Sequence, residues 1–117
     1  MKTIPKKSLP YRIKIANTFS ARLKGLMFRR SPLDRQGLWI TPCNSIHMFF
    51  MNFPIDAVFL DKEVRIVKLV GDLDPWKIVK PIPNAYSVVE LPVGTIKKFD
   101  LQTGDILELN VKETVSA

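Results

Sequence analysis

Apolar and polar residues alternate along Tyr11-Arg12-Ile13-Lys14-Ile15, with Tyr11, Ile13 and Ile15 on one side and Arg12 and Lys14 on the other. A period of two predicts a half-buried strand. The period then lengthens. Phe19, Leu23, Leu26 and Met27 recur at helical spacing, which predicts a short amphipathic helix over 19–29 with Asn17 or Thr18 as its cap. Gly25 inside that stretch costs about 1 kcal/mol relative to alanine, so it marks a close approach or a helix end. Ser31-Pro32 closes the unit. Beyond it the pattern is strand and turn. Strands are predicted at 38–40, 46–51, 56–60, 64–70, 76–79, 86–91 and 106–111, with one helical turn at 95–99. Asp61-Lys62-Glu63 reads as a tight hairpin, and Phe53-Pro54 as a turn. Turn signals every 8–12 residues or so among roughly seven or eight short strands predict a mainly β protein. The expected architecture is a small antiparallel barrel or sandwich with one amphipathic helix near the N-terminus.

Composition adds bounds. The chain has 117 residues, 46% of them hydrophobic, enough for one domain with a core. Residues 1–9 read as a flexible basic lead-in and 10–117 as the domain. No run approaches the roughly 18 apolar residues of a membrane span, and the basic start is followed by Pro5 and Pro10 rather than an apolar leader. A cytoplasmic location is the expectation. The single cysteine, Cys43, excludes an internal disulfide. The net charge of +7 is unevenly placed: residues 1–36 carry +9 and the remaining 81 carry −2. Such asymmetry suits an anionic partner or a solvated basic face. Nucleic acid is the weaker choice of partner, because no aromatic platform interleaves those lysines and arginines.

The densest apolar stretch is Ile46-His47-Met48-Phe49-Phe50-Met51, which holds the only histidine. As a strand it is apolar on both faces, so it is either buried twice or covers a pocket. His47 is then a satisfied core histidine or the polar contact of a hydrophobic cleft. Asp56 shares a strand face with Val58 and Leu60, and Glu90 with Val88 and Tyr86. Carboxylates in such company need a partner, because an unpaired buried charge is very costly. Arg22 and Arg29, on one side of the predicted helix, are the expected partners of Asp56 or Glu90. They form either a structural ion pair or a site that holds a carboxylate or phosphate. Cys43 and His47 have too few companions for a zinc site. A Cys43–His47 nucleophile would need an orienting group that the sequence does not identify. Trp39 and Trp76 either line a groove or complete the core. No phosphate-binding glycine loop or metalloprotease motif is present.

Three blocks occur in order: Arg22-Leu23-Lys24-Gly25-Leu26-Met27-Phe28-Arg29, Phe49-Phe50-Met51-Asn52-Phe53-Pro54-Ile55-Asp56-Ala57-Val58-Phe59-Leu60-Asp61, and Val89-Glu90-Leu91-Pro92-Val93-Gly94 followed by Gly104-Asp105. Together they resemble the DUF192 family, small bacterial and archaeal proteins of unknown function, over roughly residues 10–110. The resemblance implies a compact, mainly β fold with one helix, and no particular activity. The residues favour a non-enzymatic binding module with Arg22, Arg29, His47, Asp56 and Glu90 as its ligand-binding set. Its ligand would be a partly apolar, partly anionic small molecule or a protein. No metal or cofactor is expected. The alternative is a small hydrolase-like enzyme using Asp56, Glu90 or His47 as acid or base.

Overall fold

The computed structural model describes residues 5–115. Among them are ten strands and two short helices. The order is β1 (Lys6–Ser8), β2 (Arg12–Ala16), α1 (Phe19–Lys24), β3 (Gln36–Ile40), β4 (Ile46–His47), β5 (Ile55–Leu60), β6 (Ile66–Leu73), β7 (Ile78–Val79), β8 (Ser87–Pro92), α2 (Thr95–Lys98), β9 (Ile106–Glu108) and β10 (Val111–Thr114). Six strands form one sheet in the order β10-β2-β3-β8-β5-β6. Two pairs, β1-β9 and β4-β7, stand apart from it.

The protein is mainly β, as its pattern predicts, but the sheet is mixed, and among the described residues no closed barrel forms. Strand β2 runs parallel to both β3 and β10, whereas β3-β8, β8-β5 and β5-β6 are antiparallel. The parallel β2-β3 pair is joined through α1, and parallel neighbours need a crossover of that kind.

Every residue of β5 is buried, because the central strands are covered on both sides. Ile55, Ala57 and Phe59 join one core with Leu38, Ile40, Ile46, Met48 and Val88. Val58 and Leu60 join the other with Leu9, Ile13, Val89, Leu91 and Leu107. The first core lies under α1 and β4-β7, and the second under β1-β9 and α2.

Several local expectations change. Lys6–Ser8 pair in register with Ile106–Glu108, and Leu9 is buried, so residues 6–9 belong to the fold rather than to a flexible lead-in. The expected helix over 19–29 is only six residues long. Thr18 caps it through its Oγ1, and it stops at Gly25, whose φ is 49°. It is not amphipathic in effect: Ala21 is buried, while Phe19 and Leu23 are exposed. The expected strand over 46–51 lasts two residues. Phe50 adopts φ 60°, the chain reverses, and the run divides. Ile46, Met48, Met51 and Phe53 face the core, while Phe49 and Phe50 face out.

Candidate functional site

The ladder register decides where the two buried carboxylates point. Ala57 lies opposite Glu90, and Asp56 lies opposite Leu91. Directly opposed residues share a face, and neighbours along a strand alternate. Glu90 therefore faces the first core and Asp56 the second. The sheet separates them, so no single site uses both.

Asp56 is 2% exposed and fully engaged. Its Oδ1 accepts a hydrogen bond from the Asp72 N–H at 3.0 Å, and its Oδ2 accepts from the N–H groups of Gly94 at 3.1 Å and Ile96 at 2.9 Å. It ties β6 and the start of α2 to the central strand. Its partners are backbone amides, not the arginines the sequence suggested.

Glu90 is 3% exposed, and its Oε1 has no hydrogen-bond partner. Burial pushes its pKa up to about 8, so at neutral pH it is a neutral acid able to donate a hydrogen bond. The other buried side-chain polar atom without a partner, among the described residues, is Nε of Arg22. Both residues line one cleft of about 220 Å³ between α1, the 40–47 segment and β8. Its remaining walls are mostly apolar, with Phe19, Leu23, Met27, Ile40 and Met51 among them. Gly25 makes the approach possible: a Cβ there would lie 3.3 Å from Glu90 Oε1. Arg22 is oriented from its far end, where Nη1 donates to the Pro42 carbonyl at 3.0 Å.

His47 and Cys43 line the same cleft. The Nδ1 of His47 accepts from the Phe49 N–H at 3.3 Å, which puts the proton of the neutral ring on Nε2. The Cys43 thiol donates to the Ser45 carbonyl at 2.8 Å. Burial, the largest cause, raises its pKa above the ordinary value. A protonated thiol bonded away from the imidazole is not an activated nucleophile. Among the described residues, no three His, Cys, Asp or Glu side chains come together to hold a metal ion.

Three of the five residues expected at a binding site thus share one cleft: Arg22, His47 and Glu90. Asp56 lies on the opposite face. Arg29 is held by its own loop, its Nε donating to the Ser31 carbonyl at 2.9 Å. Neither arginine forms an ion pair; the pairs among the described residues are Lys7–Asp100 and Lys14–Glu113. The cleft residues that sequence reasoning did not assign to a site, Phe19, Leu23 and Met51, carried only the signal of apolar core positions. Of the two tryptophans, Trp39 donates to Ser87 Oγ at 2.8 Å and packs against the second core. Trp76 is exposed.

The DUF192 family model, described as an uncharacterized ACR, matches residues 2–109. A UPF0127 protein of Thermococcus sibiricus is 37% identical over 111 residues, which span 91% of this chain and 71% of that protein. Two crystal structures share the fold. A protein of unknown function from Novosphingobium aromaticivorans superposes with a TM-score of 0.73 at 22% identity, over 80% of this chain and 71% of its own. A candidate transcription regulator from Sinorhizobium meliloti superposes with a TM-score of 0.69 at 24% identity, over 79% of this chain and 76% of its own. At those identities the likeness is one of fold alone.

Proposed function

The chain belongs to the DUF192 family of uncharacterized proteins, and within that family we propose that it is a small-molecule-binding module. The observation that carries this reading is the pairing of Arg22 Nε and Glu90 Oε1. Both are buried, both lack a partner, and their residues line the same apolar cleft. A folded protein seldom leaves such groups unsatisfied, since each costs about 1–3 kcal/mol. A ligand that supplies acceptors to both repays that cost.

The chemistry of the cleft narrows the ligand. Arginine keeps its charge at all ordinary pH values, and Glu90 is neutral below about pH 8. The pair therefore presents one positive charge and one acidic O–H. A carboxylate accepts from both, and its apolar body fits the walls formed by Leu23, Ile40 and Met51. At about 220 Å³ the cleft is smaller than the roughly 300–1,000 Å³ of drug-sized sites, so the ligand is compact.

Benzoate is a suitable probe, with benzamide and benzylamine as uncharged and cationic controls. In amide NMR titrations, benzoate should shift Gly25, His47 and their neighbours far more than either control. Arg22→Gln and Glu90→Leu should each remove the response. Equal shifts from benzylamine, or a response that survives both substitutions, would sink the reading. A second reading, general-acid catalysis by Glu90, draws on the same raised pKa. It has no second carboxylate in the cleft, because Asp56 is across the sheet. Turnover of an aryl ester that Glu90→Gln abolishes would favour it.

A further inference from the structure

Beside the cleft, five rings run in an unbroken series over the surface. Phe28 and Phe50 have centroids 5.1 Å apart, Phe50 and Trp76 5.0 Å, Trp76 and Phe49 5.9 Å, and Phe49 and His47 5.0 Å. Phe28 is 61% exposed and Trp76 58%. Exposed Ile78 lies across the β4-β7 ladder from His47 and extends the patch. Contiguous apolar surface of this kind marks an interaction site.

The patch is built rather than incidental. Phe28, Phe50 and Trp76 hold φ values of 67°, 60° and 69°, a region where large side chains are rare. The three loops that carry them are tied to one another by the backbone. The Phe28 N–H donates to the Phe50 carbonyl at 3.0 Å, the Trp76 N–H to Met48 at 2.7 Å, and the Met48 N–H to Lys77 at 2.7 Å. Asn52 Nδ2 donates to the Arg29 carbonyl at 2.8 Å. Left-handed backbone thus turns aromatic side chains outward from loops that are held together.

The charge around the rings selects the partner. Arg29 and Arg30 follow Phe28, and Lys77 and Lys80 flank the β7 side, four cations against two acids, Asp72 and Asp74. A second copy would oppose one net-positive face to another. A single-stranded nucleic acid would stack bases on separated rings, but these rings touch one another and leave no slot between them. Aliphatic Ile78 offers no face for stacking. Exposed aromatic and aliphatic side chains flanked in the chain by arginine and lysine match the interface of an anionic bilayer. From the ring series and its flanking cations, we infer that this face docks on an anionic lipid surface, with Phe28, Phe50 and Trp76 entering the headgroup boundary.

The full chain should sediment with vesicles of equal parts phosphatidylglycerol and phosphatidylcholine, and about tenfold or more less strongly with phosphatidylcholine alone. Acyl chains labelled with bromine should quench Trp76. The double variant Phe50→Asn/Trp76→Asn keeps the fold, because both rings are exposed and asparagine tolerates positive φ. It should lose binding, as should Arg30→Glu/Lys77→Glu. Glu90→Leu should bind vesicles normally, which separates this face from the cleft. Failure to sediment with the anionic vesicles would overturn the inference. So would unchanged binding by the ring variant with its fold intact, or capture of oligothymidylate in place of vesicles.

Discussion

On folding, the Glu90 carboxyl leaves water and gains no partner for its Oε1. Ionisation is therefore what the folded state resists. The unfolded chain releases this proton near the reference value of 4.5, and the folded protein keeps it to about pH 8. The Glu90 contribution to stability is fully present below the lower value, falls as pH rises, and is lost above the upper one. The slope between them approaches about 1.4 kcal/mol per pH unit. Urea midpoints should decline across that window in the parent protein and lose this component in Glu90→Gln. A slope unchanged in the variant would show that Glu90 is not its source. Asp56 carries a prediction of another kind, from its hydrogen bonds. Asp56→Ala strands three backbone N–H groups and should cost about 3 kcal/mol or more by denaturant unfolding. Where the variant still folds, benzoate binding should persist, because Asp56 lies across the sheet from the cleft. Two buried carboxylates looked alike in the sequence. Their difference lies in what reaches them: backbone amides in one case, the apolar walls of a cleft in the other.

Helix α1 shows what an element adds to its residues. Thr18, Ala21 and Gly25 give it a start, a buried contact and a stop. The helical spacing of Phe19, Leu23, Leu26 and Met27 was legible, but the element beneath it is not a helix with a buried apolar stripe. The stripe lines the cleft instead, because α1 ends early and its outer residues have no layer above them. Gly25 carries both the stop and the opening. Gly25→Ala places a methyl group 3.3 Å from Glu90 Oε1 on backbone with φ 49°. Thermal unfolding should show a loss of about 1–3 kcal/mol, and benzoate should bind more weakly. The parallel pairing of β2 with β3 was also within reach of the sequence. A strand, a helical segment and a second strand in succession are the ingredients of a parallel crossover. Many short turns favour an antiparallel reading, whereas the longest connection, residues 17–35, is the one that carries the parallel β2-β3 pair.

At the scale of the whole molecule, two cores lie on opposite faces of one sheet, and Leu9 and Leu107, brought together by the β1-β9 pair, complete the second. Deleting residues 1–9 removes β1 and the buried Leu9. Leu9→Ala alone should cost about 2–5 kcal/mol, and the deletion at least as much, read as a lower denaturant midpoint. A flexible lead-in would cost nothing. Basicity at one end of the chain, apolar runs at 55–60 and 86–91, and the three blocks that identify the family are one-dimensional properties. The sequence by itself determined them, because burial and turn formation act over a few neighbouring residues. Only the tertiary structure decided that Arg22, His47 and Glu90 meet while Asp56 does not. It also decided that Phe28, Phe50 and Trp76 form one surface. Those outcomes depend on strand order and ladder register, where a shift of one residue moves every side chain to the other face. No local pattern encodes a choice made by strands tens of residues apart.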